Sequence, residues 1–336
     1  MARPYIRRPP TDAPRTRRAV QVAFLLLNVA IGVLFYRWVA DVERGLEPLV
    51  SRPPGVEGWL PIAGLMNLKL LLFTGRVPEV HPAGMFLLLA FLLISLLFRR
   101  AFCSWLCPIG TLSEWLWHGG QEMFGRTFRV HRYADIPLRS LKYLLLGAFA
   151  WVVASMSADD IAGFLASPYG LVADVKMLDF FRHAGEATIG AVSLLVVLSV
   201  LSRNVWCRYL CPYGALVGLV SMASPVRIVR SADACIDCGK CARACPSFIP
   251  VDTLRSVRTP ECTACFSCVA ACPVNEALEL RPLWSIRRLS AMWVAAGVAA
   301  VFLAVVGYAK LTDGWTGHVP EPLLRELVQR ASSIQH

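Results

Sequence analysis

Five stretches of this chain, 19–36, 82–98, 143–158, 187–202 and 289–309, contain no charged residue at all. About 20 apolar residues span a bilayer, and a shorter run does so when flanking arginines reach to the interface. With 56% hydrophobic residues over 336 positions, the chain is too apolar for an ordinary soluble domain. The sequence therefore predicts an all-α membrane protein of about five transmembrane helices. No small-residue cleavage site follows the first segment, so it is expected to be an anchor rather than a signal peptide.

Charge orients the expected bundle. The tail 1–18 holds six Arg, the loop 99–142 seven Lys and Arg, and the loop 203–288 eleven, which together make 24 of the chain's 34. By the positive-inside rule these three segments are cytoplasmic. The net charge of +11 is then mostly a topology signal, and because the basic residues are divided among loops no nucleic-acid partner is expected. The apolar stretch "LPIAGLMNLKLLLFTG" at 60–75 is short and has Lys69 at its middle. It reads as an interfacial or re-entrant segment rather than a sixth span.

All twelve cysteines fall in the two long loops assigned to the cytoplasm. Reduced thiols gathered on one face argue for metal or cluster ligation, not for a disulfide framework. Cys235, Cys238, Cys241 and Cys245 form C-x-x-C-x-x-C-x-x-x-C-P, and Cys262, Cys265, Cys268 and Cys272 repeat it. This is the bacterial two-cluster ferredoxin arrangement, in which the fourth cysteine of each run serves the other cluster. One [4Fe–4S] cluster is thus expected on Cys235, Cys238, Cys241 and Cys272, the other on Cys262, Cys265, Cys268 and Cys245. Gly239, Ala242 and Ala264 are small enough to let the backbone come close. Two zinc knuckles would more often include histidine, and none stands among these eight.

The four remaining cysteines occur as "CSWLCPIGTL" and "CRYLCPYGAL", which share Cys, Leu, Cys, Pro, Gly and Leu at the same offsets. Each copy follows a predicted span ending in arginine, so the chain reads as an internal duplication. Proline biases the residue before it away from helical geometry, which predicts a turn at Cys107 and at Cys211. Cys103, Cys107, Cys207 and Cys211 are the candidate catalytic residues. They bind a further metal or cluster, or act as thiol–disulfide couples, or are small buried residues of a helix turn.

With these residues laid out, the chain resembles the membrane-bound ferredoxins related to NapH, a superfamily that includes the NosR regulator and the CcoG assembly factor. "FCSWLCPIG", "WCRYLCPYGAL", the "SPVRIVR" linker at 224–230 and both ferredoxin runs carry the resemblance. It implies a protein of the bacterial inner membrane that relays electrons between the quinol pool and a partner redox protein, with quinol as substrate. It departs from NapH in a fifth helix with a short external tail. The external flavin-binding domain of NosR and the long C-terminal domain of CcoG are not expected here. The alternative drawn from CcoG, a copper reductase or assembly factor, calls for external Met/His copper sites, for which the chain offers scattered residues such as His318 and His336.

The expected organisation is a cytoplasmic tail at 1–18, a four-helix membrane part at 19–230, and a small α+β two-cluster ferredoxin module at 231–282. A fifth helix follows at 283–309, then an external tail at 310–336. No histidine lies within a predicted span, and neither C-x-x-C-H nor G-x-G-x-x-G occurs, which argues against haem, NAD and FAD. Glu114 or His118 could accept quinol's protons. The favoured reading of Trp105, Trp115, Trp117 and their charged neighbours is an aromatic belt that anchors the helix. The segment 163–181 reads as an external amphipathic stretch.

Overall fold

The computed structural model describes residues 6–9, 11–285 and 287–334. Helices dominate: α1 (Ala13–Glu43), α2 (Pro61–Thr74), α3 (Pro82–Phe98), α4 (Ala101–Trp105), α5 (Pro108–Phe124) and α6 (Arg132–Ser155) make up the first half. Four more follow: α7 (Ala158–Ala166), α8 (Pro168–Leu171), α9 (Ala173–Arg182) and α10 (Glu186–Leu201). The rest comprises α11 (Pro212–Val220), β1 (Val226–Arg230), α12 (Lys240–Ala244), α13 (Ser267–Ala270), β2 (Leu278–Pro282), α14 (Ala291–Leu311) and α15 (Glu321–Gln329).

All five expected spans fall on helices. Among the described residues, Ala13–Glu43, Tyr133–Ser155 and Ala291–Leu311 are long and apolar enough to cross a bilayer alone, and α9 with α10, bent by 82°, would make a fourth. Helix α3 has 17 residues, all uncharged, and belongs to the shorter class.

The chain divides into two compact units. The first comprises 1–25, 91–146 and 193–301. Within it β1 and β2 pair antiparallel, with Ile228 opposite Leu280, and α12 packs against α13. The stretch expected to be a linker, 224–230, thus supplies a strand of the ferredoxin module. Its Val226 and Ile228 are buried and Arg227 between them is only partly so, the period-two pattern of a half-buried strand. The expected basic tail is also partly tied down. Arg8 donates its backbone N–H to Pro273 O (2.8 Å) and its guanidinium to Val269 O (2.9 Å) and Leu278 O (2.6 Å).

The second unit comprises 26–90, 147–192 and 302–336. Helix α2 is 14 residues, about 21 Å long, short of the roughly 30 Å hydrocarbon core. Lys69 caps the end of α6, donating to Val153 O, Ala154 O and Met156 O at 2.6–3.0 Å, where orphan carbonyls and the helix dipole favour a cation. The expected amphipathic stretch forms α7, α8 and α9. Part of the C-terminal tail is α15, whose Leu324 and Val328 pack on Phe35, Trp38, Val39 and Val42 of α1.

A buried ionic group fixes this unit. Arg52 donates to Asp174 Oδ2 at 2.7 and 2.9 Å, His81 Nε2 donates to Gly170 O at 2.8 Å, and His81 Nδ1 lies 3.4 Å from Glu57 Oε1. Burial pulls the His81 pKa down, but Glu57 and Asp174 outweigh both burial and the repulsion of Arg52, and the net shift is upward. A raised folded-state pKa stabilises below the unfolded value and loses that contribution as pH rises through the folded value. The apparent unfolding temperature in detergent should therefore fall as pH climbs past neutrality, and H81N should flatten that slope. Asp174→Ala should cost about 3–5 kcal/mol, because it leaves Arg52 buried without its main partner.

Candidate redox site

Both Cys-x-x-x-Cys-Pro copies lie within the first unit and share the turn at the second cysteine and the helix that follows it. Cys103 lies in α4, and Cys207 lies in a wide helical turn of i to i+5 bonds over Trp206–Leu210. Cys107 and Cys211 take extended backbone angles (φ −64°, ψ 118° and φ −73°, ψ 105°), each capping a helix that begins at the following proline. The turn expected at each second cysteine is present. Proline suits the first helical position because it lacks the N–H that would be orphaned there. Each capping thiol then faces the positive end of a helix, and Cys211 Sγ accepts the Gly214 N–H at 3.2 Å.

The four thiols are brought together. Cys207 feels the charges of Cys107, Cys211 and Cys103, and burial with those neighbours pushes its thiol well up. Burial, then the charge of Cys103, pushes Cys107 up to about 12. Thiols held so high are neutral at pH 7 unless a cation displaces the proton, as a metal centre does. Glycine three residues after each second cysteine keeps the backbone close. A Cβ on Gly110 would collide with Cys103 O, and one on Gly214 would collide with Arg100 Nη2.

In the ferredoxin module the two loops wrap alike. Asp237 and Ala264 take positive φ (51° and 50°), as do Gly239 and Phe266 (66° and 60°), at equivalent positions. The fourth cysteines reach across: Cys245 sits in electrostatic range of Cys265 and Cys262, and Cys272 of Cys238 and Cys235. Cys245, Cys262, Cys265 and Cys268 line a cavity whose other walls include Ile228, Ile249, Val251, Val257 and Phe266. Four thiols in an apolar cradle suit a cubane. No three Cys, His, Asp or Glu side chains among the described residues converge tightly enough for a single ion.

The residues between the paired cysteines grip this cradle. Ser104 Oγ donates to Thr263 O (2.6 Å) and Trp105 Nε1 to Ala264 O (3.2 Å), both in the loop from Cys262 to Cys265. From the second copy, Arg208 Nη1 donates to Ser247 O (2.8 Å), just after Cys245. A second cavity is lined by Cys103, Cys207 and Cys265 together, with Arg17, Arg100, Arg208 and Glu261. Trp105, fully buried, is therefore no part of an interfacial belt.

Sequence reasoning missed the ionic groups that hold these parts. Arg99 and Arg100, expected to reach an interface, are 0% and 2% exposed. Arg99 donates to Ser221 O and Thr259 O, and Arg100 meets Cys103 Sγ and Glu261. Lys142 Nζ lies 2.5 Å from Glu261 Oε1 and Tyr143 donates to the same oxygen at 3.2 Å. Arg208 and Tyr209 both bond Asp135. Glu114 forms a two-pronged ion pair with Arg17 and accepts from Gln21. Burial pushes its carboxyl up, but His118, Arg17 and Gln21 outweigh burial and hold it at about 2. Such a carboxylate is a poor proton acceptor at neutral pH, which argues against the role expected of Glu114; His118 Nε2 lies 3.8 Å from it. Of the two histidines expected for copper, His318 uses its backbone N–H on Glu79 O, and His336 lies outside the described residues.

A 4Fe-4S binding domain family matches residues 80–130 and again 185–230, and a 4Fe-4S dicluster domain family matches 227–273. The first pair of matches repeats the duplication: each covers one apolar helix and one Cys-x-x-x-Cys-Pro copy. YccM of Escherichia coli (strain K12), named provisionally as an electron transport protein, is 50% identical over 97% of this chain and 93% of its own length. The regulatory protein NosR of Pseudomonas aeruginosa is 31% identical over 63% of this chain and 29% of its own length. The ferredoxin-type protein NapH of E. coli is 27% identical over 57% of this chain and 66% of its own length. No solved structure matches. Overpacking at Gly110 should disturb the thiol group first. Gly110→Ala is expected to cost about 1–3 kcal/mol, read as a lower unfolding temperature, and to speed maleimide labelling of Cys103 and Cys107 in metal-free protein.

Proposed function

The chain belongs to the NapH/NosR-type superfamily of membrane-bound ferredoxins, and from that premise we propose that it relays electrons between the quinol pool and a partner redox protein. Cys235, Cys238, Cys241 and Cys272 hold one [4Fe–4S] cluster, and Cys262, Cys265, Cys268 and Cys245 the other. Cys103, Cys107, Cys207 and Cys211 together hold a third iron–sulfur centre. When bound, each such group stores one electron. The tail, the cysteines and the ferredoxin module face the cytoplasm of a bacterial cell, in keeping with the positive loops.

The observation that carries this reading is the shared cavity, whose walls include Cys103 and Cys207 from the paired motifs and Cys265 from the ferredoxin module. Ser104, Trp105 and Arg208 keep the two thiol sets adjacent by hydrogen bonds to main-chain carbonyls of the ferredoxin loops. Arginines 17, 100 and 208 line the same space, each paired with a carboxylate, Glu114, Glu261 and Asp135 in turn. Apolar walls around Cys245, Cys262, Cys265 and Cys268 keep water off those ligands. Among the described residues the copper-reducing alternative has no comparable group of ligands to stand on.

Anaerobically purified protein should contain about twelve irons, three cubanes' worth, with matching sulfide. The double variant C107S/C211S should fall to about eight and keep the two ferredoxin signals in EPR. A quinol analogue should reduce the wild-type centres. Full iron that quinol leaves oxidised, with cupric ion turned over by the chemically reduced protein, would overturn the reading in favour of copper handling.

A further inference from the structure

Arg100 uses three of its nitrogens on three separate segments. Its Nε donates to Cys103 Sγ at 3.1 Å, Nη2 donates to Cys207 O at 3.2 Å, and Nη1 lies 3.5 Å from Glu261 Oε2, next to Cys262 in the chain. One side chain thus touches both Cys-x-x-x-Cys-Pro copies and the ferredoxin loop. It is 2% exposed, so water screens its charge little. Glu261 does not depend on it alone, because Lys142 and Tyr143 hold the other carboxylate oxygen. Because Glu261 is shared with Lys142, its negative charge is not spent on Arg100 alone.

The duplication is broken at this point. Three residues before the first cysteine, copy one has Arg100 and copy two has Asn204, whose buried Oδ1 has no hydrogen-bond partner. Room for the guanidinium comes from copy two, because a Cβ on Gly214 would collide with Nη2. The glycine and the arginine are therefore a matched pair drawn from opposite halves of the repeat.

We propose that Arg100 is the positioning residue that locks the two Cys-x-x-x-Cys-Pro halves against the ferredoxin loop and raises the reduction potential of the group held by Cys103, Cys107, Cys207 and Cys211. This rests on the reading that those four thiols hold a redox centre. A hydrogen bond to a ligand sulfur and a nearby positive charge both favour the more negative, reduced form. Gly214 belongs to the same device, as the position that leaves Arg100 its place.

Potentiometric EPR titration of the purified, cluster-loaded protein tests this in wild type, R100Q, R100K and G214A, with iron counted in each. The signal that disappears in C107S/C211S is the one to follow. R100Q should shift it to lower potential by at least about tenfold in the reduced-to-oxidised ratio, roughly 59 mV for one electron. R100K should recover part of the shift, since it keeps the charge but not the three-way bridge. G214A should lower the potential as well, with no charge removed, because it displaces the guanidinium. If R100Q does not load iron, R100K and G214A decide. Twelve irons with unshifted potentials would overturn the role of Arg100 alone. Eight irons in the wild type, with no signal dependent on Cys107 and Cys211, would instead defeat the third centre and the inference with it.

Discussion

Glu261 is a carboxylate with almost no access to water, and a charge so placed must find its partners inside the protein or lose several kcal/mol. It finds Lys142 and Tyr143 on α6 and Arg100 at the start of the first Cys-x-x-x-Cys-Pro turn. Burial pushes its carboxyl up, and the charges of Arg100 and Lys142 reverse the shift and keep it ionised. Because Cys262 is the next residue, wherever this ion group settles the second ferredoxin run must begin. Ser247 Oγ donates to the Glu261 carbonyl at 2.9 Å, which ties the segment after Cys245 to the same point. The position of the cradle formed by Cys245, Cys262, Cys265 and Cys268 thus follows from one buried anion and its two cations.

A similar logic holds Asp135 between Arg208 and Tyr209 in the second copy. Arg208 then directs its remaining nitrogen to Ser247 O, so each half of the duplication is linked to the ferredoxin loops through a charged group that is itself paired. Pairing matters because an isolated ion in such surroundings would be destabilising, whereas a satisfied network favours one arrangement over looser ones. The device suits a site in which thiols must stay at fixed separations while electrons come and go.

The cysteine runs were legible because their chemistry is local: three thiols within seven residues, then Cys-Pro, can be read without knowing the fold. The turns at Cys107 and Cys211 were legible for the same reason, through the effect of proline on the residue before it. The ion groups were not. Arg100 and Glu261 are 161 positions apart and Lys142 and Glu261 119, and no periodicity links them. Arg99 and Arg100 stand where an interfacial pair would stand, at the end of an apolar helix, so their place in the sequence points to the membrane surface and not to burial. Trp105 was lost to a similar generality about aromatic belts. The strand at 226–230 could have been seen, because Val226 and Ile228 flank an arginine, but its partner at 278–282 lies some fifty residues on.

What stays constant between the two Cys-x-x-x-Cys-Pro copies, and what differs, has a physical explanation. Cysteine and proline recur because they are set by backbone geometry, an extended residue and a helix start without an orphan N–H, and glycine recurs because neither copy leaves room for a Cβ, against Cys103 O in the first and Arg100 Nη2 in the second. The residues between and before the cysteines face the ferredoxin module, which enters the chain after the second copy only and presents different loops to each half. Ser104 and Trp105 meet the loop from Cys262, while Arg208 meets the segment after Cys245. A two-fold site serving a partner without that symmetry must diverge at its contacts and stay alike at its turns. Arg100 opposite Asn204 is the sharpest such break, and it places the only guanidinium bonded to one of the four paired thiols, among the described hydrogen bonds, on one side of a pseudo-symmetric centre.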